Sequence, residues 1–273
     1  MTSIIGGVGP SRHSRVAPPT AEDFKARPVR CLIALGFMRL GRTIALTLAE
    51  IGALHSELRD AVNLAVRWAR HDLDNRPELH LERALAQGGL SLADREFNRC
   101  FRLVEESVQA IRRAYIFAVA RRYPTLIQSD ASAAPFAGGG EADFEVDVSM
   151  RCTLERMKLC RAVLSVSPQN DMVHDRTLNA LNAGCVAIVE DNQANRAVLE
   201  HGRTGLLFRY EDNSLRECLE TVCANVERCF EIAQAGFAMR DRPAFRFGQF
   251  GNLISITRRQ EAVLRDLASV GAG

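Results

Sequence analysis

Hydrophobic positions along this chain change texture near residue 122. Before it they recur at helical spacing. Leu46, Ala49, Leu54, Leu58, Val62 and Val66 follow one another at steps of three to five, and Trp68 closes that segment. A second helix is predicted over Pro77 to Gln87, with Gly88-Gly89 as its stop. Ser91-Leu-Ala-Asp94 then opens a long amphipathic helix, with Ser91 as its N-cap. Phe97, Phe101, Val104, Val108, Ile111 and Tyr115 form its apolar stripe, while Glu105, Glu106, Arg112 and Arg113 lie off it. Both stripes read as core-facing surface, and residues 30–122 read as a mainly helical segment.

After Tyr123 the pattern becomes short apolar runs separated by short helices. Strands are predicted at Tyr123 to Gln128, Phe144 to Val148, Ala162 to Val166, Cys185 to Val189 and Gly205 to Phe208. Helices are predicted between and after them, at Thr153 to Cys160, His174 to Ala183, Gln193 to Glu200, Leu215 to Val226 and Arg228 to Gln234. Residues 131–140 read as a loop. Continuous apolar runs of four or five residues suit strands buried on both faces, so 123–240 reads as a parallel sheet with helices on each side. Right-handed crossovers make this a doubly wound, Rossmann-like α/β layer. Residues 1–29, with Gly, Pro, Ser and Arg and no periodicity, read as a flexible leader. A last helix, about Leu253 to Leu267, is expected within 241–273.

Composition narrows the class. The chain has 273 residues, 25% charged and 47% apolar, with a formal net charge of +2. That balance excludes a disordered polyelectrolyte and gives no basic footprint for nucleic acid. The longest charge-free apolar runs, such as Cys31 to Met38, fall short of the ~20 residues a membrane helix needs. No basic-then-apolar signal opens the chain, so a soluble, cytoplasmic protein is expected. The eight cysteines form no CxxC pair and the six histidines show no ligand spacing, so neither disulfide nor metal is predicted.

Ligands of open parallel sheets bind beyond the carboxyl ends of the strands. Three polar segments fall there: Ser129-Asp130; Ser167 through Asp171 and His174-Asp175-Arg176; and Glu190-Asp191-Asn192 through Asn195. Helix N-termini on such a rim present free N–H groups to phosphate. Arg176, in a first turn, adds a bidentate phosphate clamp. The ordinary roles of the same residues are helix capping by Asp171 or Asp175 and solvent exposure for His174 and Asn179. Neither GxGxxG nor GxxxxGK[ST] is present.

The run Ala162-Val-Leu-Ser-Val-Ser-Pro, His174-Asp-Arg-Thr-Leu-Asn-Ala-Leu-Asn-Ala-Gly184, Cys185-Val-Ala-Ile-Val-Glu-Asp191 resembles a glycosyltransferase. With Glu200-His-Gly-Arg-Thr-Gly-Leu-Leu-Phe208 and the helix from Asp212 to Leu219, it is similar to the C-terminal, nucleotide-sugar-binding half of the GT-B fold, nearest the spore-maturation-protein-like group. The resemblance covers about residues 123 to 236. It implies transfer of a sugar from a nucleotide diphosphate sugar to an acceptor hydroxyl, with that sugar as substrate, no separate cofactor and no bound metal. It implies donor contacts from Ser167, Asp171, His174, Asp175, Arg176, Asn179, Asp191, Asn192 and Asn195, with Asp130, Asp171 and His174 as candidate bases. Two places depart from the family pattern. Asp171 and Asn179 stand where many retaining members carry a glutamate pair, and the Glu190 to Asn195 loop lacks the usual paired glycines.

One Rossmann-like layer is half of such an enzyme. The acceptor wall must then come from the helices at 31–122 or from a second domain or chain. The alternative is a non-catalytic module derived from a glycosyltransferase, which holds a nucleotide sugar or assembles with a partner.

Overall fold

The computed structural model describes residues 18–35, 40–137, 139–146, 148–166 and 173–239. Six strands form one all-parallel sheet: β1 (Val29–Ala34), β2 (Thr125–Ser129), β3 (Asp143–Val146), β4 (Cys160–Ser165), β5 (Val186–Glu190) and β6 (Leu206–Phe208), in the order β3-β2-β1-β4-β5-β6. This is the strand order of a Rossmann-like α/β layer.

The expectation of helix from Cys31 onward fails at its first residues. Cys31 to Ala34 belong to β1, a central strand. Cys31 is in register with Thr125 of β2 on one side and with Ala162 of β4 on the other. The helices of 40–120 are therefore the crossover from β1 to β2, not a segment that precedes the sheet. They are α2 (Leu40–Gly52), α3 (Ser56–Arg70), α4 (Pro77–Gln87) and α5 (Asp94–Ala120). A four-residue apolar run carries no periodicity of its own, so the helical pattern downstream absorbed it.

The described part of the predicted leader, from Pro18, is structured. Within it, α1 (Ala21–Lys25) is capped by Thr20, whose hydroxyl accepts the Asp23 N–H at 3.1 Å. Phe24 is fully buried, with its ring 5.7 Å from that of Phe230. Arg27 donates through Nη1 to the carbonyls of Cys160 (2.6 Å) and Gly184 (2.8 Å), and through Nη2 to that of Ala183 (3.0 Å). Gly184 stands at φ +63°, and a Cβ there would lie 2.6 Å from Pro19 Cδ. Residues 18–28 thus pack on the amino ends of β4 and β5. The leader before Pro18 and the predicted helix near Leu253 lie outside the described residues.

Alternate strand residues enter two cores. Cys31, Ile33, Ile127, Leu164 and Ile188 join the core under α3, α4, α5 and α10 (Ser214–Ala224). Leu32, Ala34, Val163, Ala187 and Val189 join the core under α7 (Met150–Met157) and α8 (Asp175–Asn182). Burial on both faces is why these strands read as unbroken apolar runs. Between β2 and β3, where a loop was expected, a 3-10 turn at Ala131–Ala133 leads into α6 (Ala134–Ala137). After β5 comes α9 (Gln193–Val198), and α11 (Val226–Met239) ends the described chain.

Two details depart from the predicted stripes. In α2, Leu46 and Leu48 are exposed while Thr47 is buried, its hydroxyl donating to Glu106 Oε2 at 2.7 Å. In α5, Arg112 was expected off the apolar stripe, yet it is 1% exposed. Its Nε donates to the Leu73 carbonyl (2.9 Å) and its Nη2 to that of Asn75 (3.0 Å), and its guanidinium lies 5.3 Å from the Tyr210 ring centre. Buried carbonyls in the α3–α4 turn supply the acceptors that allow the charge inside. All eight cysteines are free thiols. No described helix is long and apolar enough to cross a membrane.

Candidate functional site

Because all six strands run parallel, Ala34, Ser129, Val146, Ser165, Glu190 and Phe208 end on one edge of the sheet. The order reverses between β1 and β4, and the crevice beyond those two strands is where ligands of such sheets sit. The segment after β5 leaves the same edge beside β4, as the parallel register of Ser165 with Val189 requires. Residues 36–39, after β1, and 167–172, after β4, lie outside the described residues. Ser167 and Asp171 lie there too.

Arg176 occupies the first turn of α8 and is 9% exposed. Thr177, next to it, is tied to the end of β4, its hydroxyl donating to Ser165 Oγ at 3.2 Å. Among the described residues, no acceptor lies within hydrogen-bond reach of the Arg176 guanidinium. Burial pulls its pKa below the ordinary arginine value; the Asp175 charge opposes that, and the Arg113 charge adds to it. His174 N-caps α8, its Nδ1 accepting the Arg176 N–H at 3.0 Å. The same Nδ1 also pairs with the Asp175 carboxylate. A ring nitrogen has one in-plane position, so it accepts from Arg176 when bare and donates to Asp175 when protonated. That bond holds the Asp175 carboxyl below its ordinary pKa. Asn179, one turn on, is half-buried.

The loop after β5 is committed to its own structure. Asp191 accepts a two-pronged bond from Arg196, Nε to Oδ1 at 2.5 Å and Nη2 to Oδ2 at 2.8 Å. Asn192 caps α9 by accepting the Asn195 N–H at 2.8 Å, and Asn195 Nδ2 donates to the Glu190 carbonyl at 2.8 Å. Asn192 Nδ2 and Asn195 Oδ1 remain buried without a partner among the described residues. Asp130, 8% exposed, follows β2 directly.

The β5–β6 half of the rim is roofed. Tyr210 donates its hydroxyl to Glu190 Oε1 at 2.7 Å, both residues being 6% exposed. Burial, with the Glu190 charge beside it, pushes the phenol well above its ordinary pKa. Asp74, in the α3–α4 turn, accepts the Tyr210 N–H at 2.9 Å and the Glu211 N–H at 3.3 Å. The chain holds an Asp-x-Asp triplet here, Asp72-Leu-Asp74. Its second carboxylate is spent on this latch, and its first faces His80 at 3.5 Å.

Two parts of the rim escaped the sequence. The segment after β1 was missed because β1 was; Gly36, directly after the Cys31 to Leu35 run, is the signal that marks a strand end. The second is Arg113 of α5. Its neighbours Arg112 and Tyr115 both touch the turn after β6, the Tyr115 hydroxyl donating to the Asp212 carbonyl at 3.2 Å. Arg113 is half-buried, and among the described residues it has no hydrogen-bond acceptor. Burial lowers its pKa, while the Asp130 and Tyr210 charges raise it. No family model, curated protein or solved structure matches this chain.

Proposed function

We propose that this chain is the donor-binding half of a glycosyltransferase, taking a nucleotide diphosphate sugar as substrate and delivering the sugar to an acceptor hydroxyl. One observation carries the reading. Arg176 is a guanidinium withdrawn from water, without an acceptor among the described residues, at a helix N-terminus on the rim of a sheet with Rossmann strand order. A buried cation costs several kcal/mol unless an anion joins it, and a helix N-terminus adds N–H groups aimed at the same place.

In sugar transfer, positive charge grows on the sugar ring while the departing diphosphate gains negative charge. Arg176 and the first-turn amides of α8 stabilise that departing group, and donors fixed in advance need no reorganisation as the charge develops. Of the candidate bases, Asp130 and His174 stand on this rim. His174 Nδ1 serves either the α8 cap or Asp175, which leaves Nε2 for proton transfer.

A second reading rests on how α5 is used. Leu103, Val104, Val108, Ile116 and Phe117 are fully buried, so the helices spend their apolar faces on the core. An acceptor wall then comes from a partner domain or chain, and alone this chain is a nucleotide-sugar-binding module. Calorimetric titration with UDP, GDP, ADP and CDP tests both readings. One diphosphate is expected to bind. Arg176→Ala is expected to weaken it by about 1.5–3 kcal/mol, the worth of a hydrogen bond to a charged group, with the melting temperature held. Failure of all four nucleotides to bind overturns the proposal. Multiple-turnover transfer by the isolated chain decides for the complete enzyme.

A further inference from the structure

We propose that Arg30 of β1 and Arg161 of β4 form an oxyanion site at the amino edge of the sheet, opposite the rim, that takes the phosphate group of free phosphate or of a phosphomonoester. The inference does not rest on the donor-binding reading.

Strand register brings the pair together. Val29 is in register with Cys160 and Cys31 with Ala162, so Arg30 and Arg161 stand opposite each other on neighbouring strands. Register partners in a parallel pair share a face, with their backbones about 4.8 Å apart. Like charges directly opposite one another destabilise a sheet unless a group of the other sign joins them. Among the described residues, neither arginine has a carboxylate within ion-pair distance. Arg161 is half-buried and held in place, its Nη2 donating to the Lys25 carbonyl at 2.8 Å, while its Nε is buried without a partner. Lys25 commits its ammonium to Glu227, in the first turn of α11, at 2.9 Å. That acid is thus spent, and the two guanidinium forks remain.

α10 closes this corner of the molecule. It packs over β1, and Cys229 Sγ joins its last turn to α11 by donating to the Thr221 carbonyl at 3.6 Å. Cys223, in the same last turn, is half-buried. Burial pushes its thiol above the ordinary pKa. A hydrogen bond with Arg30 and the Arg30 charge oppose that, the Glu141 charge adds to it, and the Arg161 charge opposes it again. The thiol therefore stands within reach of both guanidiniums. A phosphate offers three oxygens, enough for both forks, whereas a carboxylate fills one.

Alkylation by iodoacetamide, read by peptide mass spectrometry on the full chain, tests the site. Cys223 is partly exposed and reports on it, and the exposed Cys152 is the internal control. Each rate is taken as a ratio to that in sodium chloride of equal ionic strength. Inorganic phosphate is expected to slow Cys223 several-fold, with half the effect at on the order of 1 mM, and to leave Cys152 unchanged. Arg30→Gln is expected to raise that concentration about tenfold while the melting temperature holds. Arg176→Ala is expected to change nothing, and loss of protection there moves the anion to the rim and overturns the proposal. Glucose 6-phosphate divides the sources. Protection equal to that by phosphate extends the site to phosphomonoesters, and protection by phosphate alone assigns it to the free ion. Equal slowing of Cys152, no slowing of Cys223, or protection untouched by Arg30→Gln overturns the proposal.

Discussion

Replacing Arg112 by methionine asks what a fully buried guanidinium contributes to this fold. Methionine keeps most of the stem volume and removes the charge and its donors. The Leu73 and Asn75 carbonyls then lose charge-assisted bonds now made at 2.9 Å and 3.0 Å, each worth about 1.5–3 kcal/mol. The stack on Tyr210, at 5.3 Å, adds about 1–2 kcal/mol when desolvated. Against these stands the cost of burying a cation, several kcal/mol, which methionine does not incur. The balance is a destabilisation of about 3 kcal/mol. In urea titration that moves the midpoint down by roughly 1 M at the slope typical of this size. Because the same turn carries Asp74, exchange of the Tyr210 and Glu211 amides is expected to quicken more than that of β4 or β5 amides. A variant as stable as the wild type refutes the reasoning, since packing would then have replaced the polar network without loss.

Gly236→Ala is expected to destabilise by about 1–2 kcal/mol although alanine favours helix, because its Cβ would meet the Thr204 carbonyl oxygen at 2.6 Å and Leu181 Cδ2 at 2.9 Å; an unchanged or higher melting temperature contradicts this. Asp191, whose carboxyl is held below its ordinary pKa by the bond from Arg196, with Arg209 and His201 adding to it, gives a pH test. A depressed folded pKa means that the stabilisation is present above about pH 4 and disappears as pH falls through the lower folded value. Asp191→Asn should therefore lower the melting temperature slightly at pH 7, by the ~0.2–1 kcal/mol of an exposed pair, and match the wild type near pH 2; a constant gap across that range counts against it.

What the chain revealed before its fold was known follows from how each element is buried. α4 was read with its bounds because Pro77 and Gly88-Gly89 mark them chemically, Gly89 taking φ +65°. β2, β4, β5 and β6 were legible as apolar runs because helices isolate each one; β3, Asp-Phe-Glu-Val, is not such a run. β1 was not legible, since its run touches a long helical pattern. The rim was legible through parallel order, which put 173–176 beside 190–195. The roles of Asp191, Asn192 and Asn195 were not, because a donor contact and a local cap or ion pair use the same residue types at the same spacing. Arg112 and Arg113, adjacent and both charged, read as surface; only the turn at Leu73–Asn75 and the loop after β6, distant in sequence, make that part of α5 an interior.

The central position of β1 has a consequence for synthesis. Of the six described strands β1 is made first, yet both its edges wait for partners, β2 and β4, encoded as far on as Ser165. At about 5–20 residues per second, Val29 to Ala34 stay unpaired for on the order of ten seconds after they are made. During that interval the run Cys31-Leu-Ile-Ala-Leu35 is an open template for another nascent chain. The flanking Arg27, Arg30 and Arg39 place positive charge at both ends of that run, where like-charge repulsion discourages two copies from pairing in register.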